Sequence, residues 1–197
     1  MTSSAASSAV TRGTRPVLAD VIPGARVRDA LLVVAGAGLT GLAAQVAIHT
    51  PLSPVPFTLQ TLAALLVGAS LGSTRGVLSM LIYLAAGVAG VPWFAAGSHG
   101  LGATFGYIVG FVAAAAVVGA LARRGSDRRV LTTVLLMAVG SAVIYLIGAS
   151  WLAVSLNLGP AAAFRLGVLP FLLGDALKAA VAAVVLPGAW KLLSRVR

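Results

Sequence analysis

The chain has 197 residues, 59% of them hydrophobic and 9% charged, whereas an ordinary soluble domain carries roughly 25% charged residues, so it cannot clothe a water-soluble surface. A net charge of +10 would suggest nucleic acid as partner, but the basic residues stand in short segments between long apolar runs, where membrane-topology signals belong. Cysteine is absent, which excludes disulfides, thiolate metal sites and thiol nucleophiles.

Residues 1–29 are rich in Ser and Ala with scattered arginines and lack a compact apolar core before a cleavage site, so a flexible cytoplasmic tail is expected, with a short interfacial segment at 17–22. Crossing the hydrocarbon takes about 20 apolar helical residues. Six stretches qualify: 30–48, a shorter 57–71, 76–94, 103–122, 130–156 and 166–186, with Pro51, Pro54 and Pro56 breaking the chain between the first two. Residues 191–197 form a basic cytoplasmic tail, so the membrane domain is 30–190. With the N-terminus inside, twelve of the 14 lysines and arginines fall on that side, only Arg165 falls outside, and Lys178 lies within a span. That asymmetry sets the orientation. The predicted fold is an all-α integral membrane protein, a six-transmembrane-helix bundle with both termini cytoplasmic.

The loop after the first span, PLSPVPFTLQ, reads either as a lid or as a rigid connector. Thr58, Gln60 and Thr61 then give the second span a polar first turn, which either caps a helix at the interface or lines a cavity. Trp93, Phe94 and Tyr107 flank a glycine-rich outer connection, as belt aromatics or as cavity lining. His49 and His99, at the outer edge, are too few for a metal set and read as interfacial.

Asp175 and Lys178 are the ionisable residues deep inside an apolar run, and their i, i+3 spacing places them on one helical face. Charge within a bilayer is costly, so the two either satisfy one another or form a ligand or ion site reached from outside. Carboxylate and ammonium together suit a small polar ligand with both donors and acceptors. Nothing supports an enzyme. No Gly-Lys-Ser/Thr phosphate loop, nucleophile triad or metal motif is present, and no cofactor is implied. Small residues at Gly36, Thr40 and Ala44, and at Ala43 and Ala47, form close-packing faces on the first span.

Three stretches, AQVAIHTPLSPVPFTLQTLAALLVGASLG, RGVLSMLIYLAAGVAGVPWFAAG with FGYIVGF, and GVLPFLLGDALKA, together resemble the BioY family of biotin transporters, the substrate-binding S components of energy-coupling-factor vitamin importers. Where that family often shows a GPTGGY-like run, this chain has Gly102 to Tyr107. The resemblance implies a multi-pass protein of the prokaryotic cytoplasmic membrane that binds biotin near the outer face. It makes Asp175 and Lys178 the polar contacts, with Phe57, Thr58, Gln60 and Tyr107 as lining. It also implies a transmembrane coupling subunit and two ATPases as partners, met by Ala43 and Ala47 or by Gly36, Thr40 and Ala44. An S component for another vitamin, or an ion-coupled carrier using Asp175 and Lys178 as a relay, are the competing readings.

Overall fold

The computed structural model describes residues 15–22, 24 and 26–196, the last by its backbone alone. Helix α1 (Arg26–Gln45) leads into a hairpin of β1 (Ala47–Thr50) and β2 (Ser53–Thr58). There follow α2 (Gln60–Val88), α3 (Phe105–Ala122), α4 (Val130–Ser155), the short α5 (Pro160–Gly167) and α6 (Leu172–Val196). Among the described residues, five helical stretches are long and apolar enough to cross a membrane, α5 and α6 counting as one.

Helices α3 and α4 form where uninterrupted apolar residues meet no proline and no charge. Helix α4 starts where the hydroxyls of Thr132 and Thr133 donate back to the Arg129 carbonyl, at 3.1 and 2.9 Å. Helix α2 is not one rod. Its Gly72 has φ +80° and ψ 174°, outside the helical region and open to glycine at little steric cost. In a straight helix Gln60 and Tyr83 would stand about 35 Å apart, yet the Gln60 amide donates to the Tyr83 hydroxyl. The two limbs of α2 therefore run back along each other, and a Cβ on Gly76 would lie 3.0 Å from Gly68 Cα.

These two limbs form the centre of the bundle. Helix α2 packs on α1 and α3, α3 on α4, and α4 on α5 and α6. Glycines permit the close approaches: a Cβ on Gly68 would press on the Ala115 backbone, and one on Gly119 would enter the backbone at Gly72 and Ser73. Leu65, Met80, Tyr83, Val118, Ile144 and Leu152 fill the core between them.

One end of the bundle is basic and cross-linked. Asp20 receives Arg75 at 2.7 Å and Arg123 at 3.4 Å, and Asp29 receives Arg75 at 3.1 Å. Burial works against the Asp20 charge, but Arg75, the Val17 N–H and Arg123 outweigh it and hold its carboxyl below the usual range. Trp190 on α6 donates to Asp127 Oδ2 at 2.6 Å, and the Arg128 guanidinium lies 4.2 Å over the same indole. Burial pushes the Asp127 carboxyl up, against smaller opposing pulls from Trp190 and Arg128. Of the tail expected over 1–29, residues 1–14 lie outside the described residues. Residues Leu18–Val21 form a 3-10 turn in which Ala19 is buried, as is Val17 just before it.

The opposite end departs most from expectation. The first helix stops at Gln45 rather than at 48, and the proline-rich connector is a β-hairpin in which Ala47 pairs with Thr58 and Ile48 with Phe57. Both strands of a two-stranded sheet are edges, so Pro54 and Pro56 cost it little. Phe57 and Thr58 thus belong to β2, and the helix begins at Gln60. The last span is also broken: Pro170 sits in a 3-10 turn, Leu169–Phe171, that separates α5 from α6.

Candidate ligand-binding site

The hairpin, the first turn of α2, the loop before α3, the first turns of α3, mid-α4 and the start of α6 enclose a narrow, partly open cleft. Val55, Tyr107, Ile108, Phe111 and Phe171 give it apolar walls; the polar side chains lining it are Thr58, Gln60, Thr61, Tyr145, Asp175 and Lys178. Asp175 and Lys178 face each other across one helical turn at 2.9 Å, with only 11% and 15% of their side chains exposed. Each also has a partner on another helix. The Tyr145 hydroxyl donates to Asp175 Oδ2 at 2.6 Å, and the Lys178 ammonium donates to Thr61 Oγ1 at 2.6 Å.

These contacts leave specific capacity unused. An ammonium has three N–H donors and two are engaged here, so one is free for a ligand oxygen. Each carboxylate oxygen of Asp175 accepts one bond and can accept another. The cleft therefore offers, within one side-chain length, acceptors for N–H groups and a donor for an oxygen, between apolar walls.

Of the residues expected at the site, Asp175, Lys178, Gln60, Thr58 and Tyr107 all line the cleft. Phe57 does not. It lies behind Phe171, with ring centroids 4.6 Å apart, and supports that wall. Tyr107 contributes its ring, because its hydroxyl donates to the Gly167 carbonyl at 2.8 Å. Gln60 is buried, its amide spent on Tyr83 and its own N–H received by Thr58 Oγ1 at 3.3 Å. Thr58 lines the cleft and also receives the first N–H of the helix, although the N-cap position itself is Leu59.

The BioY family model matches residues 12–195. The chain belongs to the BioY family. Among similar proteins, the probable biotin transporter BioY of Pyrococcus horikoshii is 40% identical over 164 residues, 81% of this chain and 94% of that relative. The biotin transporter BioY of Rhizobium etli is 36% identical over 143 residues, 67% of this chain and 76% of the relative. A crystal structure of the S-component for biotin from an ECF-type ABC transporter superposes with a TM-score of 0.72 at 21% identity, covering 86% of this chain and 95% of that one. The BioY membership makes the chain a multi-pass membrane transport protein rather than an enzyme.

Sequence reasoning about this BioY chain missed Tyr145, since a single tyrosine in a long apolar helix is unremarkable until its hydroxyl is seen on Asp175. The belt reading of the outer aromatics is overturned. Phe94 and Tyr107 are buried, and Trp93 is locked to Tyr83 by its indole N–H at 2.9 Å with ring centroids 5.1 Å apart. The small-residue faces on α1 also need correction. Gly36, Thr40 and Ala44 point into the bundle, where a Cβ on Gly36 would meet Ser79 and Val67, so they are not free for a partner. Ala43 and Ala47 do not share a helical face either, because Ala47 lies in β1.

Proposed function

We propose that the chain binds biotin in the hairpin-end cleft and mediates its uptake as the substrate-specific S component of an energy-coupling-factor importer, with a transmembrane coupling subunit and two ATPases as partners. The observation that carries this reading is the shielded Asp175–Lys178 pair, held from two other helices and facing a cleft with apolar walls. A ureido ring presents two N–H donors and a carbonyl. Asp175 accepts the donors, Lys178 gives its third N–H to a ligand oxygen, and the rings of Phe171 and Tyr107 cover the apolar remainder. Biotin is the transported ligand and no cofactor is required.

The chain crosses the prokaryotic plasma membrane six times with both termini cytoplasmic, the membrane domain covering 30–190 between tails 1–29 and 191–197. The reversal at Gly72 supports six crossings, and the gathering of Arg75, Arg123 and Arg128 at one end supports the orientation. The first limb of α2 can be short because it starts at Gln60, in the wall of the cleft. Ala43, partly buried on α1, is the remaining candidate contact for the coupling subunit.

Equilibrium binding of radiolabelled biotin to the purified full chain tests the assignment, with unlabelled biotin, lipoate, thiamine and riboflavin as competitors. Displacement by biotin alone is expected. Preferential displacement by one of the other vitamins would transfer the site to that ligand. Uptake driven by a pH gradient into liposomes holding this chain alone would instead favour a carrier.

A further inference from the structure

The outer half of α4 carries two furrows on its membrane-facing side, outside the cleft. One runs between α4 and α5, where Ala142, Ala149 and Ala153 face Ala163 and Phe164 across it. The other runs between α4 and α3, where Gly106 and Val109 stand opposite Val154. The furrows are divided by a single ridge, Leu146 and Ser150, which belongs to both. Small residues at 142, 149 and 153 make the first furrow deep, and Leu146 projects between the two with 72% of its surface exposed.

The dimensions match one leaflet. From Ala142 to Ala153 helix α4 rises about 16 Å, about half of a hydrocarbon core some 30 Å thick. Ala142 lies near the middle of Val130–Ser155, so the furrows run from the bilayer centre to the hairpin-end interface. Charge points to the same occupant. Arg165 on α5 is exposed, follows the furrow residue Phe164, and has no carboxylate within ion-pair distance among the described residues. Unlike Lys178, which is paired with Asp175 in the cleft, Arg165 is exposed, and an unpaired cation there attracts a lipid phosphate.

We propose that one diacyl phospholipid of the hairpin-end leaflet straddles α4, with an acyl chain in each furrow and its phosphate on Arg165. One chain bears on the ring of Tyr145, which lines the first furrow on one side and the ligand cleft on the other. This lipid site is independent of what the cleft binds.

Native mass spectrometry of the purified, detergent-washed full chain, with phosphatidylglycerol or its single-chain lyso form added back, tests the proposal. One diacyl lipid per chain is expected, with the lyso form bound more weakly. Arg165→Gln should weaken retention about five-fold, the factor for one lost contact between a cation and a headgroup. Ala149→Phe fills the first furrow and should abolish retention, while Val184→Phe on the exposed face of α6 should leave it unchanged. Arg165→Gln is a surface change and carries the test if Ala149→Phe does not fold. Equal retention by all variants, equal binding of diacyl and lyso lipid, or a lipid-free dimer sealed through α4 would each overturn the proposal.

Discussion

The two ends of the bundle use buried charge in opposite ways. At the basic end, two arginines link separate segments: Arg75 joins Asp20 to Asp29, and Arg123 joins the end of α3 to the N-terminal turn. Those contacts are internal, and they tie chain segments together. At the hairpin end, Asp175 and Lys178 are more shielded than any of these pairs, yet they line a cleft and keep unused hydrogen-bonding capacity. Closed networks hold a fold together, whereas partly open ones are available to a ligand.

The sharpest way to break this contrast is to remove one member of the open pair. Lys178→Ala leaves the Asp175 charge shielded without its counter-ion, a loss of about 3–5 kcal/mol for a buried pair. Biotin binding loses the Lys178 hydrogen bond as well, worth about 1.5–3 kcal/mol for a charged donor, and should fall about ten- to a hundred-fold by equilibrium binding, with Asp175→Asn weakening it in the same direction. Wild-type affinity in both would remove the pair from the site.

A change at the closed end should behave differently. Gly119→Val places carbon into the backbone at the Gly72 reversal, where there is no flexible side chain to yield. Overpacking of this kind costs about 1–3 kcal/mol. The expected result is a lower Tm in detergent with biotin affinity unchanged in the folded fraction. Tyr145→Phe brings the comparison back to the cleft at smaller scale. It removes one hydrogen bond to a carboxylate, worth about 1.5 kcal/mol, and should weaken biotin binding by up to about ten-fold while lowering Tm by only a few degrees.

How far the sequence could be read follows the same divide. Helices α3 and α4 were legible to within a residue or two, because about 20 apolar residues in a row have few alternatives in a membrane. Asp175 and Lys178 were legible because charge in such a run needs a reason. What escaped depended on contacts between distant segments. The hairpin forms because Phe57 returns to pair with Ile48, and Trp93 turns inward because Tyr83 accepts its N–H. The depth of an aromatic residue can be inferred from hydropathy, but the side it faces cannot. The small face of α1 was misassigned for the same reason: close-packing residues look alike whether they meet another subunit or, as Gly36 does, a serine of the same chain.

The smallest expected effect concerns Asp127, the closed-end carboxyl that burial pushes above its ordinary value of 3.8. A raised folded-state pKa means that the folded protein favours the protonated form. The resulting stabilisation is complete below the unfolded value and is lost as pH rises through the folded one. At neutral pH the charged carboxylate therefore costs stability, even with Trp190 donating to it at 2.6 Å. Asp127→Asn keeps an acceptor oxygen for that indole and removes the charge. Thermal unfolding at neutral pH should show the variant equal to or slightly above wild type, with the difference vanishing below the ordinary value of 3.8. A clear loss of Tm at neutral pH would mean that the attraction between Asp127 and Arg128 outweighs burial, and that this carboxylate belongs with Asp20 among the charges that hold the basic end closed.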